Sequence, residues 1–241
     1  MKEPFKTEAD LCAVFIKDAT KIGWKCYPET AGFDILAVNE HGHQCGIEAK
    51  LKLNLKVIEQ IMPLAWYADN EMTSGPNHRA ILVPNADSPA LVSLLHHAGV
   101  SVISRRTYFD DFVGGMFNAE PMYDHNPKTL CTLPEYMPEV PAGVPSPVQL
   151  TRWKIGALRV MAILEYDGFI LRRDFSDLKI DPRRWCSGDG WLRPISPGVW
   201  GLGSCPRFDQ QHPNTYQTVL SELKDRRPSR AIMLSQQELA E

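Results

Sequence analysis

The seven residues Cys45–Leu51, CGIEAKL, decide how this chain is read. Glu48 and Lys50 stand two apart in an otherwise apolar, strand-like run, the kind of run that goes to a protein interior. A buried charge costs several kcal/mol unless something pairs with it. The stretch therefore asks for a partner, a metal ion or a chemical task.

The preceding run, Phe33–Asn39 (FDILAVN), supplies the partner. If Glu40, His41 and Gly42 close a three-residue hairpin with Gly42 in the left-handed conformation, Asn39 faces His43 and Asp34 falls directly opposite Glu48. Opposed residues share a sheet face, as do residues two apart on one strand. Asp34, Glu48 and Lys50 are then expected on one face, shared with Leu36 and Val38, with Ala49 turned away into the core. Two carboxylates about 5 Å apart repel, and near low-dielectric walls one binds a proton unless a cation intervenes. A hard divalent cation, Mg²⁺ with Mn²⁺ able to substitute, suits such a pair because it takes oxygen ligands and completes its shell with water and substrate phosphate. The chemistry that fits is metal-assisted phosphodiester hydrolysis, with Lys50 stabilising negative charge or orienting water. A plain ion-pair cluster on a solvated face is the alternative reading, against which Leu36 and Val38 speak, since such a face should carry alternating polar residues.

The flanking pattern builds a fold around the pair. Leu11, Val14, Phe15 and Ile22 recur near helical spacing over about residues 4–22, ending at Gly23, and Glu8 lies on that helix. WKCYPE, FDILAVN and HQCGIEAKL read as a three-strand meander. Leu55, Ile58, Ile61, Met62, Ala65 and Trp66 mark a helix over about 54–70 that Pro63 should kink. RAILVP is an apolar strand, SPALVSLLHHAG a helix opened by Ser-Pro and closed by Gly99, and VSVIS another strand. The order αβββαβαβ implies an α/β fold, a mixed sheet with helices on its faces.

Glu8 on the first helix, Asp34 in GFD, Glu48 and Lys50 in IEAK, and this element order together resemble the PD-(D/E)xK nuclease superfamily, the restriction-endonuclease-like fold, over about residues 1–105. The resemblance implies that Asp34 and Glu48 bind Mg²⁺, that the carbonyl of Ala49 adds a ligand, and that Lys50 activates or positions water. It assigns Glu8 to contacting a metal or holding Lys50. Two departures are visible: Phe33 stands where the family has proline, and Leu64 follows Gln60 where the end-processing exonuclease branch has tyrosine, Tyr67 coming too late. Lys52 and Lys56 are candidates for phosphate contact.

Residues 111–147 hold seven of the nineteen prolines and little periodicity, so a linker or irregular strap is expected between a domain at 1–110 and another at 148–241. The second begins with a helix carrying Leu150, Trp153, Ala157, Val160, Met161 and Leu164 on one face. A short strand and helix (FILRRDFSDL), a helix at DPRRW and a hairpin at WLRPISPGVWGLG follow, and a last short helix at SQQELAE. Three helices and a hairpin resemble a winged-helix domain. That resemblance implies that Arg183 and Arg184 approach a DNA groove, that Arg193 lies on the wing, and that Arg172 and Arg173 touch the backbone. Trp153, Trp185, Trp191 and Trp200 are expected as its core.

Charge agrees with that division. Lys and Arg against Asp and Glu number 11 to 13 over residues 1–110, 1 to 5 over 111–147 and 14 to 11 over 148–241, so only the last third is basic. The first residues lack an apolar signal core and no run is long enough to span a bilayer, so a cytoplasmic protein without membrane contact is expected. The six cysteines form no C-x-x-C pair and are expected to be reduced. His41, His43 and Cys45 alternate, but a soft-ligand zinc site needs tighter spacing. The reading that results is a Mg²⁺-dependent DNA endonuclease, its double-strand cutting best served by a homodimer. A nuclease fold that has lost catalysis and serves as a DNA-binding or protein-interacting regulator is the alternative, and an RNA nuclease a third.

Overall fold

In the computed structural model, residues 5–62, 74–105, 117–119, 122–144 and 150–231 are described. The chain divides into two compact units, Met1–Pro147 and Val148–Glu241. No described helix is long and apolar enough to cross a membrane.

The first unit runs α1 (Glu8–Lys21), β1 (Lys25–Thr30), β2 (Phe33–Val38), β3 (Gln44–Ala49), α2 (Leu55–Ile61), β4 (His78–Val83), α3 (Pro89–His97), β5 (Ser101–Arg105) and β6 (Phe117–Ala119). The six strands lie in chain order in one sheet. β1, β2 and β3 form an antiparallel meander, and β3, β4 and β5 are mutually parallel, joined through α2 and α3. Thr7 opens α1: its hydroxyl accepts the Asp10 N–H while the Asp10 carboxylate accepts the Thr7 N–H, a capping box that starts the helix later than its apolar pattern suggests. Alternation sorts the sheet side chains onto two cores. Ile35, Ala37, Cys45, Ile47, Ala49 and Leu82 pack with Leu11 and Cys12 of α1. Leu36, Val38, Ile81 and Val83 pack with Val57 and Ile61 of α2 and Leu95 of α3.

Two expectations change here. α2 stops at Ile61 instead of kinking at Pro63, because the residue before a proline is driven out of the helical region, and Met62 has φ −70° and ψ 131°. Ala65, Trp66 and the Leu64 and Tyr67 comparison fall outside the described residues. The proline-rich segment, expected as a linker or an irregular strap, belongs to the first unit: it supplies β6, and Tyr136, Val140 and Ala142 are buried. The Gln44 side chain holds it from both ends of its amide, donating to the Cys131 carbonyl and accepting the Cys131 N–H.

The second unit runs α4 (Arg152–Asp167), β7 (Ile170–Leu171), α5 (Arg172–Asp177), α6 (Arg183–Cys186), β8 (Leu192–Ser196), β9 (Val199–Leu202), α7 (Phe208–Gln211) and α8 (Pro213–Arg226), with a small sheet ordered β7-β9-β8. SQQELAE lies outside the described residues. Trp185, 1% exposed, is ringed by Phe175, Trp191 and Phe208. Trp153 touches this group edge-on but stays 43% exposed, so it lies at the rim of the core and not within it.

Asp167, at the end of α4, closes the unit. Its fully buried carboxylate accepts hydrogen bonds from Arg227 and Arg230, and Arg230 reaches on to Asp174. Burial pulls the Asp167 carboxyl upward, but the hydrogen bonds from Arg227 and Arg230 outweigh it and hold the group below the usual carboxylate range. The unfolded chain therefore binds the proton first, so this contribution is complete above about pH 4 and is lost as pH falls below that. Tryptophan-monitored unfolding of the second unit should lose stability on acidification through this window. Asp167→Asn should remove that dependence and cost about 1–3 kcal/mol at neutral pH, since Arg227 loses its carboxylate while Arg230 keeps Asp174.

Candidate functional site

β3 ends among acids drawn from three other elements. Glu48 and Lys50 come from the end of β3, Asp34 from the start of β2, Glu29 from β1 and Glu8 from the first position of α1. The Asp34 carboxylate accepts the Ala49 N–H at 2.8 Å, and the Lys50 N–H donates to the Leu82 carbonyl at 2.9 Å. The Lys50 ammonium donates to Glu8 at 3.0 Å. Glu8 is well placed for this, because the capping box fixes the first turn of α1 and an acid there is favoured by the helix dipole.

The hairpin beneath has the register expected from its loop: Val38 pairs with Gln44 and Ile35 with Ile47, and Gly42 has φ 81°. The ladder stops there, so Asp34 is not paired across from Glu48. Its carboxylate meets the Ala49 N–H instead, which lies in the plane of the sheet where the next ladder acceptor would have been. Asp34 thus leaves the face of Leu36 and Val38, and Phe33 takes its place. The Phe33 ring lies on Gly46, where a Cβ would come within 2.6 Å of it, and the Arg79 guanidinium covers it at 5.3 Å while donating to the Ile61 carbonyl that ends α2. Strict alternation predicts the meeting of Asp34 with the end of β3, but not its geometry.

Sequence reading misses Glu29. Its carboxylate accepts the N–H groups of Gly143 at 2.8 Å and Val144 at 3.3 Å, clasping the proline-rich segment beside the site. Its backbone is left-handed, φ 47°, a conformation unusual for glutamate and found where surroundings over-determine the chain. Gly143, with φ 74°, passes so close to Cys12 and the Glu8 backbone that a Cβ would come within 3.1–3.2 Å of them. A segment without periodicity carries no signal of such a docking. The turn-forming Thr30-Ala31-Gly32 after Glu29 is the only hint.

These charges act on one another. The Glu48 carboxyl is pushed up to about 7, first by burial, then by the Asp34 charge, with Glu29 and Glu8 adding and Lys50 opposing. Burial raises Asp34 as well, against the Ala49 N–H and Lys50. Glu29 is raised by burial and by Asp34 despite its two N–H donors. Burial would lower Lys50, but the Glu8 hydrogen bond and charge, with Asp34 and Glu48, hold it above its ordinary value. Lys50 is therefore an ammonium at neutral pH, suited to stabilising charge and unsuited to taking a proton. Four carboxylates face one such cation, and among the described residues none donates a hydrogen bond to Glu48. This is a site short of positive charge.

Among the described residues no group of three or more His, Cys, Asp or Glu side chains is arranged to hold a metal ion. What the end of β3 offers is two carboxylates, Asp34 and Glu48, and the backbone carbonyl of Ala49, the residue after Glu48. That carbonyl leaves the strand on the same side as the N–H that Asp34 accepts. The donors are all oxygen, and their excess negative charge fits a hard divalent cation.

The other candidates lie apart. Lys52 and Lys56 are exposed, in the loop after β3 and on α2. His41 is exposed on the hairpin turn, whereas the Cys45 thiol is buried and raised, to about 12, by burial, and the two do not assemble a site. In the second unit Arg172, Arg173, Arg183, Arg184 and Arg193 are all exposed. Arg183 is held by Asp181 at 2.6 Å, and Arg184 stacks over Trp191 at 5.2 Å. No protein-family model matches the chain, and no curated protein matches it.

The clasp is testable by hydrogen exchange. Glu29→Ala should speed exchange of the Gly143 and Val144 amides and destabilise the first unit by about 1–3 kcal/mol, while Glu29→Gln, which keeps an acceptor oxygen, should retain much of the protection. Equal exchange in all three chains would show that the segment is held elsewhere.

Proposed function

We propose that this protein is a Mg²⁺-dependent endonuclease of the PD-(D/E)xK type that hydrolyses DNA, with the first unit performing the chemistry and the second holding the substrate. The observation that carries the reading is the convergence of Asp34, Glu48 and the Lys50 ammonium at the end of β3, in a site short of positive charge. The element order α1 β1 β2 β3 α2 β4 α3 β5, with parallel β3, β4 and β5, supports the restriction-endonuclease-like comparison.

Asp34, Glu48 and the Ala49 carbonyl would hold the metal. When bound, Mg²⁺, or Mn²⁺ in its place, supplies a Lewis acid for a phosphoryl oxygen and a more acidic water. The protein's own groups do the rest. The Ala49 N–H fixes the orientation of Asp34. Glu8 fixes Lys50, whose ammonium faces the negative charge that gathers on the phosphoryl oxygens and can hold the attacking water by hydrogen bonds. Water adds to phosphorus, one P–O ester bond breaks, and the leaving oxygen departs as a hydroxyl.

In the second unit the order α4 β7 α5 α6 with the β8–β9 hairpin resembles a winged helix, and Arg172, Arg173 and Arg193 are exposed for phosphate contact. α6, Arg183–Cys186, is a single turn and Arg183 is tied to Asp181, which favours backbone holding over base reading. Restriction, defence, mobile-element or repair work would suit such a protein, and a homodimer would bring two sites to one duplex. The second reading, a non-catalytic DNA-binding or protein-interacting regulator on the same fold, is favoured by one observation, the lack of a third acidic or histidine ligand grouped with Asp34 and Glu48 among the described residues.

A cleavage screen over duplex, single-stranded, branched and modified DNA and RNA, in Mg²⁺ and in Mn²⁺, separates these readings. Asp34→Ala, Glu48→Ala and Lys50→Ala should each lower cleavage by at least about 10²-fold, with DNA affinity retained, and removing 148–241 should weaken affinity more than it changes the chemistry. Cleavage unchanged in the three variants ends the nuclease reading, and salt-dependent binding without cleavage of any substrate favours the regulator.

A further inference from the structure

A cleft of about 210 Å³ opens beyond the carboxyl ends of β3 and β4. Its walls are two loops, residues 51–53 directly after Lys50 and residues 84–88 leading into α3, with Phe5 between them. Crevices at the carboxyl ends of parallel strands are where open α/β sheets take their ligands. Leu53 is three residues past Lys50, so the cleft lies within about 10 Å of chain from the Lys50 backbone.

The lining is divided by chemistry. Leu51, Leu53, Pro84 and Phe5 give apolar surface, while Lys52, Asn85, Asp87 and Ser88 give polar groups. Lys52 and Asp87 balance in charge, which suits a neutral group with polar edges better than a free anion. Among the described residues the side chains of Asn85, Asp87 and Ser88 make no hydrogen bond with the protein. For Ser88 this is telling, because it occupies the N-cap of α3, where a serine hydroxyl ordinarily bonds the first turn. The space is below the about 300–1,000 Å³ of pockets for drug-sized ligands, so it has room for one base and not for a duplex.

We propose that this cleft binds one unpaired nucleobase of the substrate, next to the phosphodiester that lies at Lys50. Apolar walls take the faces of the ring, and Asn85 and Asp87 pair with its amide and amino edges, as these side chains do with bases elsewhere. Lys52 stands where the linking phosphate leaves. The placement rests on the nuclease reading, and the recognition chemistry does not require cleavage. It implies a preference for single-stranded or splayed nucleic acid over a regular duplex.

The test is a titration of the whole chain, without divalent metal, followed by calorimetry and by NMR, using dAMP, dCMP, deoxyadenosine and inorganic phosphate. The nucleotides should bind in the millimolar range, deoxyadenosine within severalfold of dAMP, and phosphate at least tenfold more weakly. Ser88→Tyr, which fills the mouth, should weaken nucleotide binding at least tenfold. If Ser88→Tyr unfolds early, Asn85→Ala, at an exposed position, should still weaken it severalfold. Phosphate binding as tightly as dAMP, nucleotides binding folded variants as tightly as the parent, or no nucleotide binding at all would each overturn the proposal. A chain that cleaves nucleic acid yet binds no nucleotide here loses only the base cleft, whereas one that binds nucleotides but never cleaves loses only the nuclease reading.

Discussion

One hydrogen bond, from the Ala49 N–H to the Asp34 carboxylate, sets where the sheet stops and where the candidate site starts. A strand N–H at that position ordinarily meets a neighbouring carbonyl. Supplying a side-chain oxygen instead satisfies the donor, so the backbone of β2 is free to part from β3. Parting does two things at once. It turns the Asp34 carboxylate onto the Ala49 N–H, and it lets Phe33 turn onto Gly46, where only a missing side chain leaves space for the ring.

Around that bond the charges are arranged unevenly. Lys50 is committed to Glu8 and offsets the charge of Asp34 and Glu48 only in part, and Glu29, committed to two amides of the proline-rich segment, adds to it. A fold selected only for stability would replace such a group with apolar side chains, since buried ions seldom repay their dehydration. This fold instead keeps the group, on a backbone that also holds a glutamate in the left-handed region.

Local rules made much of this visible in the sequence. The three-residue loop fixed the β2–β3 register because Gly42 is the residue that tolerates a left-handed turn, and Ser-Pro and Gly99 bracketed α3. Lys50 and Glu8 were legible as partners only through the family resemblance, since 42 positions separate them and no spacing rule joins α1 to β3. Glu29 was legible only as a neighbour of the turn at Thr30-Ala31-Gly32, not as a clasp. Its function depends on Gly143 and Val144, which lie in a stretch whose prolines suppress both the helical and the strand periods. Asp34 was placed correctly at the end of β3 and wrongly on its face, because alternation assumes that both strands continue.

The clasp from Glu29 to residues 143–144 also carries a timing. As the chain is made, every residue of the pattern from Glu8 to Lys50, and all of the sheet through β5, is complete by Arg105. The amides that Glu29 accepts arrive only after residues 106–144 have been added, about 2–8 s later at ordinary rates of synthesis. Until then the acids at the end of β3 lack both their nearest cover and the neighbour that presses on the first turn of α1. The chain therefore has the residues of five of the six strands of this sheet before it has those that finish the site, and a ribosome-bound chain of this intermediate length is a different chemical object from the released protein.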